Sequence, residues 1–289
     1  MFRLSTLIYG FFAVVFLSTS SLAGHHEEAD NGIGSTPSIS VSGILPSTSK
    51  TEYPEAQWQI KNPLNLGVSE EKVKRLFDLS FADSATQGVV LIKDGFLIGE
   101  RYAEGFEKSS YGTSWSMAKS FYASLIGISI DRGEINSLDD KVADYLDYFG
   151  DQRAEISLRD LLDMTSGLEM PDHEHENMFF SGDHLAYARD VGVEKPAGQK
   201  FEYNNVNSML LAEIIEKATG QKADALLKER VFDKIGLTDV TLWQDSAGNP
   251  LTYCCVDTTA RQYSRFGLLF ARSGNWNGEQ IISDRKSVV

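Results

Sequence analysis

The sequence predicts an α/β (α+β) fold in which helices flank an antiparallel sheet. Two β-rich runs joined by Asp94-Gly95 predict a hairpin over residues 88–102, because Asp-Gly between such runs favours a tight turn. A long apolar run follows Ser116 and predicts a buried helix that ends before Gly133. Helical patterns farther along the chain predict a helical subdomain of roughly residues 130–235, set against the sheet.

The N-terminus is typical of a signal peptide over residues 1–23. Arg3 supplies a positive charge, residues 7–17 form an apolar stretch, and Ser21-Leu22-Ala23 is a small-residue cleavage site. The apolar stretch is short for a membrane span. We therefore expect cleavage and export to the periplasm or the medium, with no membrane association beyond the signal peptide.

The composition of the rest of the chain indicates one acidic globular domain. Residues 24–52 are rich in Ser, Thr, Gly and Pro and predict a flexible leader, which leaves residues 53–289 as the folded domain. The formal net charge of −14 repels nucleic acid and anionic lipid, so neither is expected as a partner. Bridging the adjacent Cys254 and Cys255 would close a strained ring, so we expect two unpaired thiols. The sequence leaves the oligomeric state open.

Several further elements follow from helical spacing of apolar residues. A helix capped by Ser69 carries Val73 and Phe77 on one face. Residues 169–200 are polar and predict an irregular loop near the mouth of a site. The run Asp172-His173-Glu174-His175-Glu176 in it could bind a metal but lies on no regular element, so we expect a solvated segment and no metal. Other helical segments are predicted over residues 138–148, 157–164, 206–219, 222–234 and 259–273.

The pair Ser116 and Lys119 is the strongest candidate for catalysis. Ser-x-x-Lys occurs four times in the chain, but only Ser116 begins an apolar helix that must be buried. The two side chains lie one helical turn apart on the same face. Burial disfavours the charged form of a lysine and lowers its pKa, so that it can act as a base toward a neighbouring hydroxyl. Ser116 is therefore the predicted acyl-transfer nucleophile.

The segment Tyr203-Asn204-Asn205 supplies candidates for the remaining roles. A tyrosine near a lysine cation can exchange the proton of the serine with a leaving group. Asn205 can donate a hydrogen bond to a substrate carbonyl. A surface tyrosine followed by an asparagine helix cap would give the same pattern, so the segment by itself leaves both interpretations open.

The order of the motifs resembles the penicillin-recognising serine hydrolases. This superfamily includes class C β-lactamases, D-alanyl-D-alanine peptidases, related esterases and the 6-aminohexanoate-dimer hydrolases. The resemblance covers about residues 88–282, and the segments 256–267 and 276–280 are most similar to the amide-hydrolase and esterase branch. It rests on Ser116-Met117-Ala118-Lys119, on residues 138–146, on residues 156–168 ending in Thr165-Ser166-Gly167-Leu168, and on Tyr203-Asn204-Asn205.

The resemblance implies a β-lactamase/transpeptidase-like fold and a two-step hydrolysis of a small-molecule amide or ester. Ser116 would be acylated, Lys119 would activate it, and Tyr203 would transfer the proton, without a metal or organic cofactor. Whether Lys119 or Tyr203 removes the first proton stays open. The alternatives are a D-alanyl-D-alanine peptidase or β-lactamase, and a non-catalytic module that binds penicillin or cell-wall fragments.

The sequence departs from the family pattern at one motif. The family carries Lys-[Ser/Thr]-Gly or His-x-Gly on a strand after Tyr-x-Asn, and that strand supplies the second oxyanion donor. Here Lys93-Asp94-Gly95 has Lys-x-Gly spacing but lies in the hairpin turn, and the sequence contains no Lys-[Ser/Thr]-Gly and no His-x-Gly. We therefore expect the C-terminal strands of the domain to be missing, with an unpaired hairpin edge and poor activity of this 289-residue form.

Overall fold

A computed structural model describes residues 11–17, 52–171 and 173–283. Short 3₁₀ turns lie at Pro63–Leu66, Trp115–Met117, Val142–Asp144 and Asp147–Phe149, and a π-helical turn lies at Lys228–Phe232. The described strands are β1 (Phe11–Leu17), β2 (Thr86–Lys93), β3 (Phe96–Tyr102), β4 (Tyr111–Thr113), β5 (Val240–Leu242), β6 (Val256–Thr259), β7 (Asn275–Trp276) and β8 (Glu279–Gln280). The described helices are α1 (Glu70–Ser80), α2 (Ala118–Asp131), α3 (Leu158–Leu162), α4 (Glu174–Phe179), α5 (His184–Asp190), α6 (Asn205–Met209), α7 (Leu211–Thr219), α8 (Ala223–Leu227) and α9 (Ala260–Ala271).

The predicted hairpin is present as β2 and β3, which pair antiparallel across the Asp94-Gly95 turn. Its strands are buried on both faces, so alternate residues of β2 enter different parts of the core. Val89 and Leu91 pack beneath α1, whereas Val90 and Ile92 belong to the main core on the side of α9. The hairpin therefore forms the middle layer between α1 and the rest of the domain.

In the chain that retains residues 11–17, the edge of β2 is paired, contrary to the expectation of an unpaired hairpin edge. The backbone of β1 runs parallel to β2 from Phe11 opposite Thr86 to Leu17 opposite Lys93. This segment lies within the predicted signal peptide, whose residues 1–10 and 18–23 lie outside the described residues. An extended apolar segment satisfies the open hydrogen-bonding groups of a strand edge, which explains the pairing.

A second sheet connects the start of α2 to the C-terminal half of the chain. Strand β6 pairs antiparallel with β4 on one side and with β5 on the other. Just beyond β4, the Ser114 backbone N–H donates to the Val256 carbonyl at 2.8 Å, and the Val256 N–H donates to Ser114 Oγ at 2.9 Å. These bonds hold the chain immediately before Ser116.

The central helix α2 is buried as the apolar run predicts. Phe121, Leu125 and Ile126 are fully buried, and the helix packs against α7 and α8. The Phe121 ring lies 4.1 Å from that of Phe266 in α9, centroid to centroid, and 5.5 Å from that of Phe232. The helix therefore joins the helical subdomain to the sheet.

The helical subdomain lies where the sequence predicts it, with two corrections. The segment 138–148 forms only two 3₁₀ turns, because its polar residues leave too few apolar positions to bury a longer helix. The segment 169–200, expected to be irregular, contains α4 and α5. Each turns one apolar face inward, with Met178 and Leu185 buried in the main core.

The sulfur atoms of Cys254 and Cys255 lie in direct contact, and both residues are buried. Cys255 has a positive φ of 115°. This pair lies in the turn before β6.

The predicted leader lies outside the described residues except for Glu52, and residues 284–289 are likewise outside them. Among the described residues, no helix has the length and apolar character needed to cross a membrane.

Candidate active site

Ser116 lies at the entrance of the buried helix, as the sequence predicts. It occupies the 3₁₀ turn Trp115–Met117 directly before α2, and its side chain is exposed. Trp115 adopts a φ of 45°, a left-handed conformation that turns the chain sharply between β4 and the helix. The next residue of the helix, Ala118, is fully buried. The hydroxyl is therefore presented to solvent from a rigid support.

Lys119 lies one turn farther on and reaches back to Ser116. Its Nζ lies 3.2 Å from Ser116 Oγ, 2.8 Å from Asn205 Oδ1 and 2.8 Å from the Tyr253 carbonyl oxygen. Burial lowers the pKa of Lys119 to about 7, and the negative charge of Glu174 opposes part of that effect. Near neutral pH the amine therefore exists in both its charged and its neutral form.

These three contacts determine what each form of Lys119 does. The ammonium has three N–H groups, one for each oxygen. The neutral amine has two N–H groups and one lone pair. Because Asn205 Oδ1 and the Tyr253 carbonyl can only accept, they retain the two N–H groups and the lone pair is left for the hydroxyl of Ser116. The geometry thus directs the neutral amine to act as a base toward Ser116.

Tyr203 reaches the same oxygen from the other side. Its Oη donates to Ser116 Oγ at 2.5 Å, and its ring centroid lies 5.0 Å from Lys119 Nζ. The side chain is 41% exposed, so one face of the phenol is open to solvent. Asn204, the next residue, caps α6 by accepting from the Val206 N–H at 2.9 Å. Asn204 thus forms the helix cap, and Tyr203 lies where the active-site interpretation requires it, in contact with Ser116.

Asn205 has both ends of its amide engaged within the protein. Oδ1 accepts from Lys119, and Nδ2 lies 3.0 Å from Nδ1 of His175. Nδ2 carries two N–H groups, so its contact with His175 leaves one for a substrate carbonyl, the ligand predicted for Asn205. In this structure Asn205 positions Lys119.

The Thr165-Ser166-Gly167-Leu168 segment supports the Tyr203 loop from below. Ser166 Oγ donates to Asn207 Oδ1 at 2.6 Å, and Asn204 Nδ2 donates to the Glu169 carbonyl at 3.1 Å. Gly167 has a φ of 72°, and a Cβ at that position would lie 2.0 Å from the Lys195 carbonyl oxygen. Only glycine fits such a close approach. This explains structurally why the motif has a glycine at position 167.

Sequence reasoning missed Glu174 and His175, which were expected in a solvated segment. Glu174 is 1% exposed, and burial raises its pKa to about 7. His175 lies between Glu174 and Asn205, and burial lowers its pKa. The Asp-His-Glu-His-Glu run was the available signal, but nothing local shows that α4 turns one carboxyl inward. Asp172, the first residue of the run, lies outside the described residues.

The Tyr253 carbonyl was also missed, because a backbone acceptor leaves no mark in the sequence. Within the described residues, no group of three or more His, Cys, Asp and Glu side chains is arranged to hold a metal ion.

Comparisons with known proteins place these residues in one family. A model of the β-lactamase family matches residues 89–281. A D-aminopeptidase from Brucella anthropi is 31% identical over 176 residues, which cover 55% of this chain and 33% of the relative. A 6-aminohexanoate-dimer hydrolase from Paenarthrobacter ureafaciens is 23% identical over 232 residues, which cover 72% of this chain and 58% of the relative.

Solved structures share the fold. The octameric penicillin-binding protein homologue from Pyrococcus abyssi superposes with a TM-score of 0.60 at 18% identity, over 75% of this chain and 59% of that one. The expectation of a β-lactamase/transpeptidase-like fold is confirmed. The chain spans about a third of the length of the D-aminopeptidase and less than two thirds of the 6-aminohexanoate-dimer hydrolase.

Proposed function

The chain belongs to the β-lactamase family of the serine hydrolase superfamily, and on that basis we propose that it hydrolyses small amides or esters through an acyl-enzyme on Ser116. One observation carries the proposal. Lys119 Nζ and Tyr203 Oη, from distant parts of the chain, both lie within hydrogen-bond distance of Ser116 Oγ. A nucleophile with two proton carriers in contact is the arrangement that acyl transfer requires.

In the first step Ser116 Oγ bonds to the substrate carbonyl carbon and its proton passes to the neutral amine of Lys119. Burial, and the two carbonyl oxygens that hold the N–H groups of the neutral amine, support Lys119, rather than Tyr203, as the first base. The backbone N–H of Ser116, in the first turn of the helical segment, would donate to the oxyanion.

In the second half of the cycle the proton taken up by Lys119 passes to the leaving group of the substrate. The accepted proton reaches the leaving amine or alcohol through Tyr203, whose exposed Oη already contacts Ser116 Oγ. Water then attacks the acyl-enzyme, gives one proton back to Ser116 Oγ and releases the carboxylic acid. Net consumption is one water for each bond cleaved.

The substrate class is proposed from the relatives. The D-aminopeptidase and the 6-aminohexanoate-dimer hydrolase both bear names of amide-cleaving enzymes, which supports an amide or ester over a β-lactam. Comparing turnover of a small amide, a small ester, a β-lactam and a D-alanyl-D-alanine peptide tests this choice. Preferential turnover of the β-lactam or of the dipeptide terminus would replace the proposed class with the corresponding alternative.

The nucleophile is tested by intact-mass spectrometry after exposure to a fluorophosphonate probe. We expect one adduct on the wild-type chain and none on Ser116→Ala. Ser120→Ala is the matched control, because Ser120 is an exposed serine on the same helix and should label like wild type. A folded wild-type protein without an adduct would contradict the proposal. Reversible ligand binding retained by both variants would then favour a non-catalytic binding module.

Export is proposed from the signal-peptide pattern of residues 1–23. We expect the protein recovered from the periplasm or medium of an expressing cell to begin at Gly24 when its N-terminus is sequenced. A cell-retained protein that still begins at Met1 would contradict both cleavage and export.

A further inference from the structure

A continuous row of polar contacts leads from Ser116 into the interior. Ser116 Oγ contacts Lys119 Nζ, which donates to Asn205 Oδ1 at 2.8 Å. Asn205 Nδ2 lies 3.0 Å from His175 Nδ1, and the same Nδ1 lies 2.9 Å from Glu174 Oε2. The row therefore joins the nucleophile to a buried carboxyl on α4.

The direction of each hydrogen bond in this row follows from Lys119. An ammonium can only donate, so the amide of Asn205 must turn Oδ1 toward Lys119 and Nδ2 toward the histidine. Nδ1 of His175 must then accept, which places the ring proton on Nε2. The lowered pKa of His175 agrees with this neutral ring. His175 thus fixes the orientation of Asn205, and Asn205 fixes Lys119.

Glu174 ends the row in an unusual state. Its side chain is buried, and neither carboxyl oxygen has a hydrogen-bond partner among the described residues. His175 Nδ1 lies 2.9 Å from Glu174 Oε2 but donates no hydrogen bond to it, because in this tautomer Nδ1 carries no proton and accepts from Asn205. A buried carboxyl without partners costs stability, so its presence beside the active-site lysine calls for a role.

The electrostatic link between Glu174 and Lys119 supplies that role. Burial and, to a lesser extent, the charge of Glu176 raise the pKa of Glu174 to about 7, whereas the positive charge of Lys119 acts to lower it. Burial brings the pKa of Lys119 to about 7 as well, while a negative Glu174 raises it. The two groups therefore titrate over the same pH range and influence each other.

The geometry points to Glu174 and His175 as a positioning pair that acts on Lys119 and sets the charge state of the Ser116 site. His175 holds the Asn205 amide in the orientation that Lys119 requires, and the charge of Glu174 decides how readily Lys119 gives up its proton. The inference deepens the proposed function and rests on it for its catalytic meaning. The charged and titratable groups that face the pair are Lys119 from α2, Glu176 from α4, Tyr187 from α5, Tyr203 before α6, and Tyr253 before β6.

The inference is tested by NMR titration of protein labelled with ¹³Cε-lysine, in which the Lys119 signal is assigned by its loss in Lys119→Arg. In wild type we expect a midpoint near pH 7. Glu174→Gln keeps the shape and removes the charge, so the midpoint should fall by about one pH unit. Glu174→Asp keeps the charge and should remain closer to wild type.

A matched control and a second variant separate this effect from a merely structural one. Glu176→Gln removes a charge from the exposed face of the same helix and should move the midpoint little, because solvent screens it. His175→Phe removes the acceptor for Asn205 and should slow fluorophosphonate labelling of Ser116, whereas His175→Gln, which can accept, should restore part of the rate. Thermal melting verifies that each variant is folded.

The possible outcomes distinguish the inference from the proposed function. Coincident Lys119 midpoints in wild type and Glu174→Gln would overturn the inference, whether or not Ser116 is labelled. A shifted midpoint in a protein whose Ser116 never labels would uphold the electrostatic link and overturn the proposed hydrolase. If Glu174→Gln fails to fold, the His175 variants decide the result: labelling of Ser116 as fast in folded His175→Phe as in wild type would overturn the inference.

Discussion

The most direct prediction of the proposed function is that Ser116 becomes reactive as Lys119 loses its proton. With a pKa of about 7, half of the Lys119 side chains are neutral at pH 7, and about one tenth at pH 6. A lysine with the ordinary value of 10.5 would be neutral in only about 3 of 10,000 molecules at pH 7. Burial therefore increases the amount of active base roughly a thousandfold at neutral pH.

The labelling rate of Ser116 by a fluorophosphonate, followed by intact mass from pH 5 to 9, tests this reasoning. The rate should rise about tenfold per pH unit below the midpoint and level off above pH 8. Lys119→Arg should be slow at every pH, because a guanidinium does not lose its proton in this range. A wild-type rate that is flat from pH 5 to 9, or that rises only above pH 9, would refute the assignment of Lys119 as the base.

Three further predictions concern the site and its support. Tyr203→Phe removes the donor to Ser116 Oγ and should lower turnover of a cleaved amide or ester by about 10²–10⁴-fold with an unchanged fold, measured by steady-state kinetics; a turnover near wild type would exclude Tyr203 as the proton carrier. Phe121→Ala should lower the free energy of unfolding by about 3–5 kcal/mol in urea, since the ring is fully buried against Phe266, and a loss below 1 kcal/mol would contradict that packing. Ser157→Ala should cost about 1 kcal/mol in the same assay, because Ser157 Oγ accepts from the Asp160 N–H at the start of α3; no loss would show that this cap is dispensable.

Much of the fold could be predicted because its signals are local. The Asp94-Gly95 turn specifies the hairpin through backbone conformation alone. Likewise, the capping box of α3 is complete in the sequence, where Ser157 and Asp160 satisfy each other's backbone N–H groups.

The candidate site likewise contains residues that local spacing predicts and residues that only packing brings together. Ser116 and Lys119 lie one helical turn apart, so the sequence already places them on one face of α2. Tyr203 could be nominated from its motif, but only the packing of the helical subdomain brings its Oη to 2.5 Å from Ser116 Oγ across 87 residues of chain. For Glu174, the local pattern gave the wrong prediction of a solvated loop.

The sequence by itself determined the candidate nucleophile, the helix that carries it and the family, because these depend on residue type and on spacing within a few turns. Tertiary structure alone decided the charge state of Lys119. It alone also brought Glu174 and His175 into the row of contacts that leads to Lys119. The pKa of an amine depends on how far water is excluded from its surroundings and on which charges lie near it. Those surroundings come from α4, α6 and the turn before β6, which no local pattern places beside α2.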